Sequence, residues 1–233
     1  MLKLGPFDID HPFILAPMAG ITHSPFRRLM RRHRSAVVIS ELVSATGIEY
    51  AGARTLDLLK FHEEERRVGL QIFGEDQEHL VKACQYVERL GADFVDLNMG
   101  CPVPKVVKKG AGSAMCRDPI GLSRILQAMV ESVKIPVTIK IRTGWDSGTR
   151  NAAEIVRVAA DAGVKWVAIH GRTRAQGYSG DADWDRAVAT GLVAHVTVNT
   201  HRPQTMALPL PHAPLPKPPA GPSGRGNRFH PDR

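Results

Sequence analysis

Six short runs of Val, Ile and other apolar residues punctuate the first 185 residues, and most are followed by a longer helix-forming segment. The runs are Phe13–Ala16, Ala36–Ser40, Val68–Ile72, Phe94–Leu97, Val137–Ile141 and Trp166–His170. They are mostly continuous rather than alternating, as strands buried on both faces should be. Repetition of strand and helix selects right-handed βαβ units and a parallel sheet. The intervening segments carry helix punctuation. Ser24-Pro25 and Asp118-Pro119 each place an N-cap residue before a proline, Asp76 caps a segment that Gly91 stops, and Gly163 follows a helix over roughly 152–162.

Two α/β architectures use such units. Pro17-Met18-Ala19-Gly20, after the first run, lacks the G-x-G-x-x-G turn of a dinucleotide-binding doubly wound sheet. Polar residues instead gather at the ends of several strands: Gln71, Asn98, Lys140 and His170. That distribution fits a (β/α)8 TIM-type barrel with its site at the C-terminal face. Six units are recognisable where a barrel has eight, so an incomplete barrel over 1–185 is expected.

Residues 186–233 break the pattern. They hold nine of the seventeen prolines, and six basic residues against one acid, most of the chain's formal charge of +8. An irregular, polyproline-like or disordered segment is expected there. The overall basicity admits an anionic partner such as nucleic acid. No run reaches the ~20 apolar residues of a membrane-spanning helix, and Met1-Leu2-Lys3-Leu4-Gly5-Pro6 does not read as a signal peptide. Cys84, Cys101 and Cys116 have no C-x-x-C spacing, so neither a disulfide framework nor a metal site is expected, and a cytoplasmic location is the default.

Four strand-end residues invite chemistry. Cys101 follows Asn98-Met99-Gly100 and precedes Pro102, a rigid turn of little bulk that can turn the thiol toward the barrel mouth. Cys84, on a helix face, and Cys116 read as small buried hydrophobes. Within Val137–Arg142, alternation sets Thr138, Lys140 and Arg142 on the inner face and Val137, Ile139 and Ile141 toward the helices. An internal lysine there needs an anion or an electron-rich ligand; an ion pair with a neighbouring carboxylate and Schiff-base chemistry are the competing readings. Gln71 is a strand amide that must find partners. His170 precedes Gly171-Arg172-Thr173-Arg174, a loop suited to something anionic, and Lys105, Lys108 and Lys109 follow Cys101 closely.

These stretches together resemble the tRNA-dihydrouridine synthases, in a bacterial, B-type-like form. The resemblance rests on Ala16–Thr22 with Pro25-Phe26-Arg27, on Gln71–Gly74, and on Asn98–Pro102. It continues in Gly110–Ala114, Lys140–Trp145 and His170–Arg174, all in family order across about residues 10–185. It implies a barrel binding FMN at its mouth, NADPH as reductant and tRNA as substrate. Pro17, Met18 and Ala19 would line the flavin ring, Gln71 would meet its pyrimidine edge, and Lys140 and His170 would contact flavin or uracil. Asn98 and Arg172 would face the substrate. Cys101 matches the family's proton donor, protonating C5 of uracil after hydride reaches C6. A thiol suits the role, being acidic enough to give a proton and mostly protonated at neutral pH.

The family pattern continues with a seventh strand bearing an Asn-Gly-Asp-like turn, an eighth ending in Gly-Arg, and a helical tRNA-binding domain. None is recognisable after Asp183-Trp184-Asp185. The resemblance therefore implies a truncated or frameshifted chain, weakened in FMN binding by loss of its phosphate loops. The alternatives are a non-enzymatic incomplete barrel and a Schiff-base lyase using Lys140.

Overall fold

The computed structural model describes residues 2–50 and 52–185, and the backbone of 194–196. Two three-residue strands, β1 (Leu2–Leu4) and β2 (Phe7–Ile9), pair antiparallel as a hairpin. The main sheet begins at β3 (Ile14–Leu15), followed by α1 (Ser24–Arg32) and β4 (Val37–Ser44). Two short helices, α2 (Ala45–Glu49) and α3 (Ala53–Asp57), lead to β5 (Val68–Phe73), α4 (Gln77–Arg89) and β6 (Phe94–Met99). Then come α5 (Pro104–Val107), α6 (Pro119–Ser132), β7 (Val137–Arg142), α7 (Ala152–Asp161) and β8 (Val167–His170).

All six anticipated strands pair in chain order, every neighbour parallel. A further strand, β9 (Ala194–Val196), pairs with β8 and extends the sheet beyond the last unit legible in the sequence. The expectation of an irregular segment over the rest of 186–233 lies outside the described residues. Neighbouring helices pack α2 on α4, α4 on α6 and α6 on α7, along one face of the sheet. Consecutive parallel strands with one outer layer of helices are the wall of a (β/α)8 barrel, incomplete among the described residues.

Strand alternation sorts the two faces. Leu70, Ile72, Val95, Leu97, Met99, Val137, Ile139, Ile141, Val167 and Ile169 join the core formed with the helices. Among the residues of the opposite face are Gly69, Gln71, Phe94, Asp96, Asn98, Thr138, Lys140 and His170, with register pairs Gly69–Phe94, Gln71–Asp96, Asp96–Thr138 and Asn98–Lys140. The lowest layer is apolar. Val37, Ile39, Phe94 and Trp166 pack there against Leu4 and Ile9 of the hairpin, which stoppers that end. Polar groups occupy the layers above it.

Asp76 and Asp118 cap α4 and α6 as expected, accepting from the His79 and Gly121 N–H groups at 3.0 Å each. Gly91 and Gly163, just past the ends of α4 and α7, take φ of +77° and +89°. Ser24 departs from expectation. The N-cap of α1 is His23, whose Nδ1 accepts from Phe26 N–H at 3.3 Å. The Ser24 hydroxyl donates instead to the buried carboxylate of Glu65. Glu65 also accepts from Arg27 Nε at 2.5 Å, and this fully buried pair ties α1 to the turn before β5.

Candidate active site

At the C-terminal ends of the strands lies a cavity of about 430 Å3. Pro17, Met18, Ala19 and Ile21 from the loop after β3 form one wall with Leu42 of β4. That loop closes on itself: Thr22 Oγ1 accepts from Met18 N–H at 3.0 Å and Thr22 N–H donates to Met18 O at 3.0 Å. Val103 and Val106 contribute further apolar surface, and Gln71, Asn98, Cys101, Lys140, Arg142 and His170 contribute polar atoms. Seven of the eight residues singled out for cofactor or substrate contact line this one cavity, as does Cys101. Arg172 does not: its guanidinium donates to Gly180 O at 2.7 and 3.1 Å, outside the lining.

The Cys101 turn is held from both sides. Asn98 Oδ1 accepts from Gly100 N–H at 3.2 Å and Cys101 N–H at 2.9 Å. Arg142 Nε donates to Gly100 O at 2.7 Å, while Ser113 N–H and Oγ donate to Cys101 O at 3.1 and 2.9 Å. A side chain at Gly112 would bring its Cβ within 2.8 Å of Cys101 O, at a φ of +61°, so only glycine lets this backbone approach. Cys101 is half-buried in the cavity wall, whereas Cys84 and Cys116 are buried, and burial pushes both their thiols up to about 12.

Beneath the cavity runs a buried polar chain. Thr138 Oγ1 donates to Asp96 Oδ1 at 2.5 Å, Gln71 Nε2 donates to Asp96 Oδ2 at 2.7 Å, and Asn98 Nδ2 donates to Gln71 Oε1 at 2.9 Å. Burial raises the Asp96 carboxyl above its ordinary value, against the pull of Thr138, Gln71 and the nearby Lys140. Lys140 keeps some exposure on the cavity it lines; desolvation and the Arg142 charge push its ammonium down to about 8, against Asp96. Arg142 is itself anchored by Thr173 O and Gly177 O, at 3.0 and 2.8 Å. Asp96 and Arg142 were not singled out as site residues in the sequence. The period-two alternation that marks Gln71 and Lys140 marks them equally.

At the rim, the Trp145 ring carries two guanidiniums, Arg117 at 4.7 Å and Arg174 at 4.5 Å from its centroid. No group of His, Cys, Asp and Glu suited to hold a metal occurs among the described residues. No described helix is long and apolar enough to cross a membrane.

A parallel wall with a thiol, an ammonium and two amides converging at its C-terminal mouth defines a (β/α)8-type barrel wall with a candidate site at that face. The chain belongs to the dihydrouridine synthase (Dus) family, which it matches over residues 14–197. It is 42% identical over 199 residues to tRNA-dihydrouridine synthase B of Pseudomonas aeruginosa, covering 85% of this chain and 60% of that protein. It is 39% identical over 186 residues to a probable tRNA-dihydrouridine synthase of Rickettsia prowazekii, covering 79% and 57%. The chain thus spans about 60% of the length of such curated relatives.

Proposed function

We propose that this chain carries the catalytic barrel of a cytoplasmic, FMN-dependent enzyme that uses NADPH to reduce uridine in tRNA to 5,6-dihydrouridine. One observation carries the reading beyond family membership: the Cys101 thiol, the Lys140 amine and the Gln71 and Asn98 amides share one cavity. The lining suits a flat heterocycle with a polar edge, having apolar surface at Pro17, Met18, Ala19 and Leu42 and hydrogen-bonding groups at Gln71 and Lys140. Gln71 spends one amide hydrogen on Asp96 and keeps a second for a ligand. Bound FMN would supply hydride to C6 of the uracil.

This chain's residues would do the rest. Lys140 donates to a carbonyl of flavin or base, and His170 closes the same inner face. Asn98 keeps the Cys101 turn in place beside the substrate. Cys101 Sγ transfers its proton to C5 on the face opposite the hydride, and the thiolate recovers a proton from water. Reaching the base requires its extrusion from the RNA stack. Arg172, with Lys105, Lys108 and Lys109, would meet phosphates around that opening.

The test is dihydrouridine formation on unmodified tRNA with FMN and NADPH, read by nucleoside mass spectrometry, with flavin binding followed by fluorescence. Cys101→Ala should lose activity by roughly 100-fold or more, the scale of a lost general acid, and bind FMN as the parent does. A Cys101→Ala protein of near parental rate would refute the proton-donor role. Parental protein that neither binds flavin nor modifies tRNA would favour the incomplete, non-enzymatic barrel. Lys140, with its lowered proton affinity, also suits imine formation, and borohydride trapping with a carbonyl compound would expose that chemistry.

A further inference from the structure

We infer that Asp96, which does not line the cavity, is the positioning residue of the Cys101 thiol, acting through Gln71 and Asn98; its catalytic meaning rests on the function proposed above. The argument is one of hydrogen-bond polarity. An amide can present its oxygen or its NH2 group, and each choice dictates the next. The Gly100 and Cys101 N–H groups can only donate, so Asn98 must turn Oδ1 to them and Nδ2 to Gln71. Gln71 must then offer Oε1 to Asn98 and Nε2 to its other neighbour, which must accept. Asp96 Oδ2 is that acceptor, on the adjacent strand and in register with Gln71. Thr138 holds the second oxygen from the other side.

With both ends fixed, the chain has one arrangement and no alternative flip. Asp96 is fully buried, so an apolar side chain in its place would leave Gln71 Nε2 without its acceptor. Gln71 would be free to rotate, Asn98 would lose the fixed partner of its Nδ2, and the acceptor of the Cys101 N–H would be held less firmly. The turn would not collapse, because Arg142 and Ser113 still hold its carbonyls. The effect is therefore a loosened thiol rather than an unfolded barrel. Asparagine at 96 can reproduce the pattern, its oxygen accepting from Gln71 and its NH2 donating to Thr138, whose hydroxyl then turns to Val95 O at 3.4 Å.

Two readouts separate this inference from the functional reading. The first is amide hydrogen exchange at Gly100 and Cys101, followed by NMR without cofactor or RNA and compared with Val95 as a core reference. Asp96→Leu should accelerate exchange at both sites by about tenfold, the equivalent of one net hydrogen bond. Asp96→Asn should stay within about twofold, and Thr138→Val, which frees one side of the carboxylate, should lie between them. The second is the rate of uridine reduction. Asp96→Leu should lower kcat by about tenfold or more with KM little changed, and Asp96→Asn should restore kcat. If Asp96→Leu does not fold, Thr138→Val decides. Unchanged exchange in every folded variant, or equal losses in Asp96→Asn and Asp96→Leu, would overturn the inference. Exchange that responds as expected in a protein with no reductase activity would uphold the positioning and refute the function.

Discussion

Lys140 sits between opposing influences: Asp96 on one side favours its charge, while desolvation and Arg142 disfavour it. Its folded-state value of about 8 lies below the ordinary 10.5. Between those values the unfolded chain binds more protons than the folded one, so this residue makes stability rise with pH from about 8 to about 10.5. The buried thiols of Cys84 and Cys116, raised from 9 to about 12, act in the opposite sense above pH 9. The clean measurement is therefore a difference. Relative to Lys140→Met, the parent should gain about 2–4 °C in Tm between pH 7 and 9.5. A parallel pair of curves would show that the folded barrel holds this ammonium as easily as water does. The same residues show what a sequence discloses. Gln71, Asn98, Lys140 and His170 were legible because a polar side chain at a strand end on the inner face has few uses. Asp96 shares their inner face, but its partnership with Gln71 and Thr138, on two neighbouring strands, is not written along any one strand. Arg172 lies outside the cavity lining, and nothing local announces that the guanidinium of this half-buried residue donates to Gly180 O.

At the level of the elements, strands and long helices were legible and short pieces were not. Continuous Val and Ile runs identify β4 to β8, and capping residues identify α4 and α6. The hairpin of β1 and β2, and helices of four or five residues such as α2, α3 and α5, span too little chain for a period to emerge. The cap of α1 failed as a local signal because Ser24 finds Glu65, 41 residues away. Strand pairing also rests on a demand invisible in composition. A Cβ at Gly69 would lie 2.1 Å from the Phe94 ring of the adjacent strand. Gly69→Ala should therefore destabilise the protein by about 1–3 kcal/mol in urea unfolding, as overpacking does. Pairing it with Phe94→Leu should recover much of the loss. Additive losses in the double variant would show that the two positions do not share the strain.

The whole molecule has a closed end and an open one. The hairpin packs Leu4 and Ile9 beneath the strands with Trp166 and Phe94, while loops after β3, β6 and β8 surround the cavity. Stability and chemistry thus draw on different ends of the same strands. The matched family region runs through β9 to residue 197; that strand falls within one apolar run, Leu192–Val198, which stands beyond the last complete unit and so does not by itself announce a further one.

The two ends also carry separate optical labels. Trp166 is 3% exposed and lies edge-on to Phe7 and Phe94, at 6.0 and 4.7 Å between centroids. Trp145 is half-buried at the rim beside two cationic groups. Iodide should gather beside Trp145 and quench its emission, while Trp166 stays dark to the quencher until the barrel opens. Trp184, half-buried, supplies the remaining signal. Trp145→Phe should abolish most iodide quenching of the native protein and leave the urea-induced red shift of Trp166 intact. If iodide quenches Trp145→Phe as well as the parent, the paired guanidiniums do not attract anions to the rim. If it does not, intrinsic fluorescence follows an anionic guest at the mouth through one tryptophan, and the integrity of the barrel floor through another.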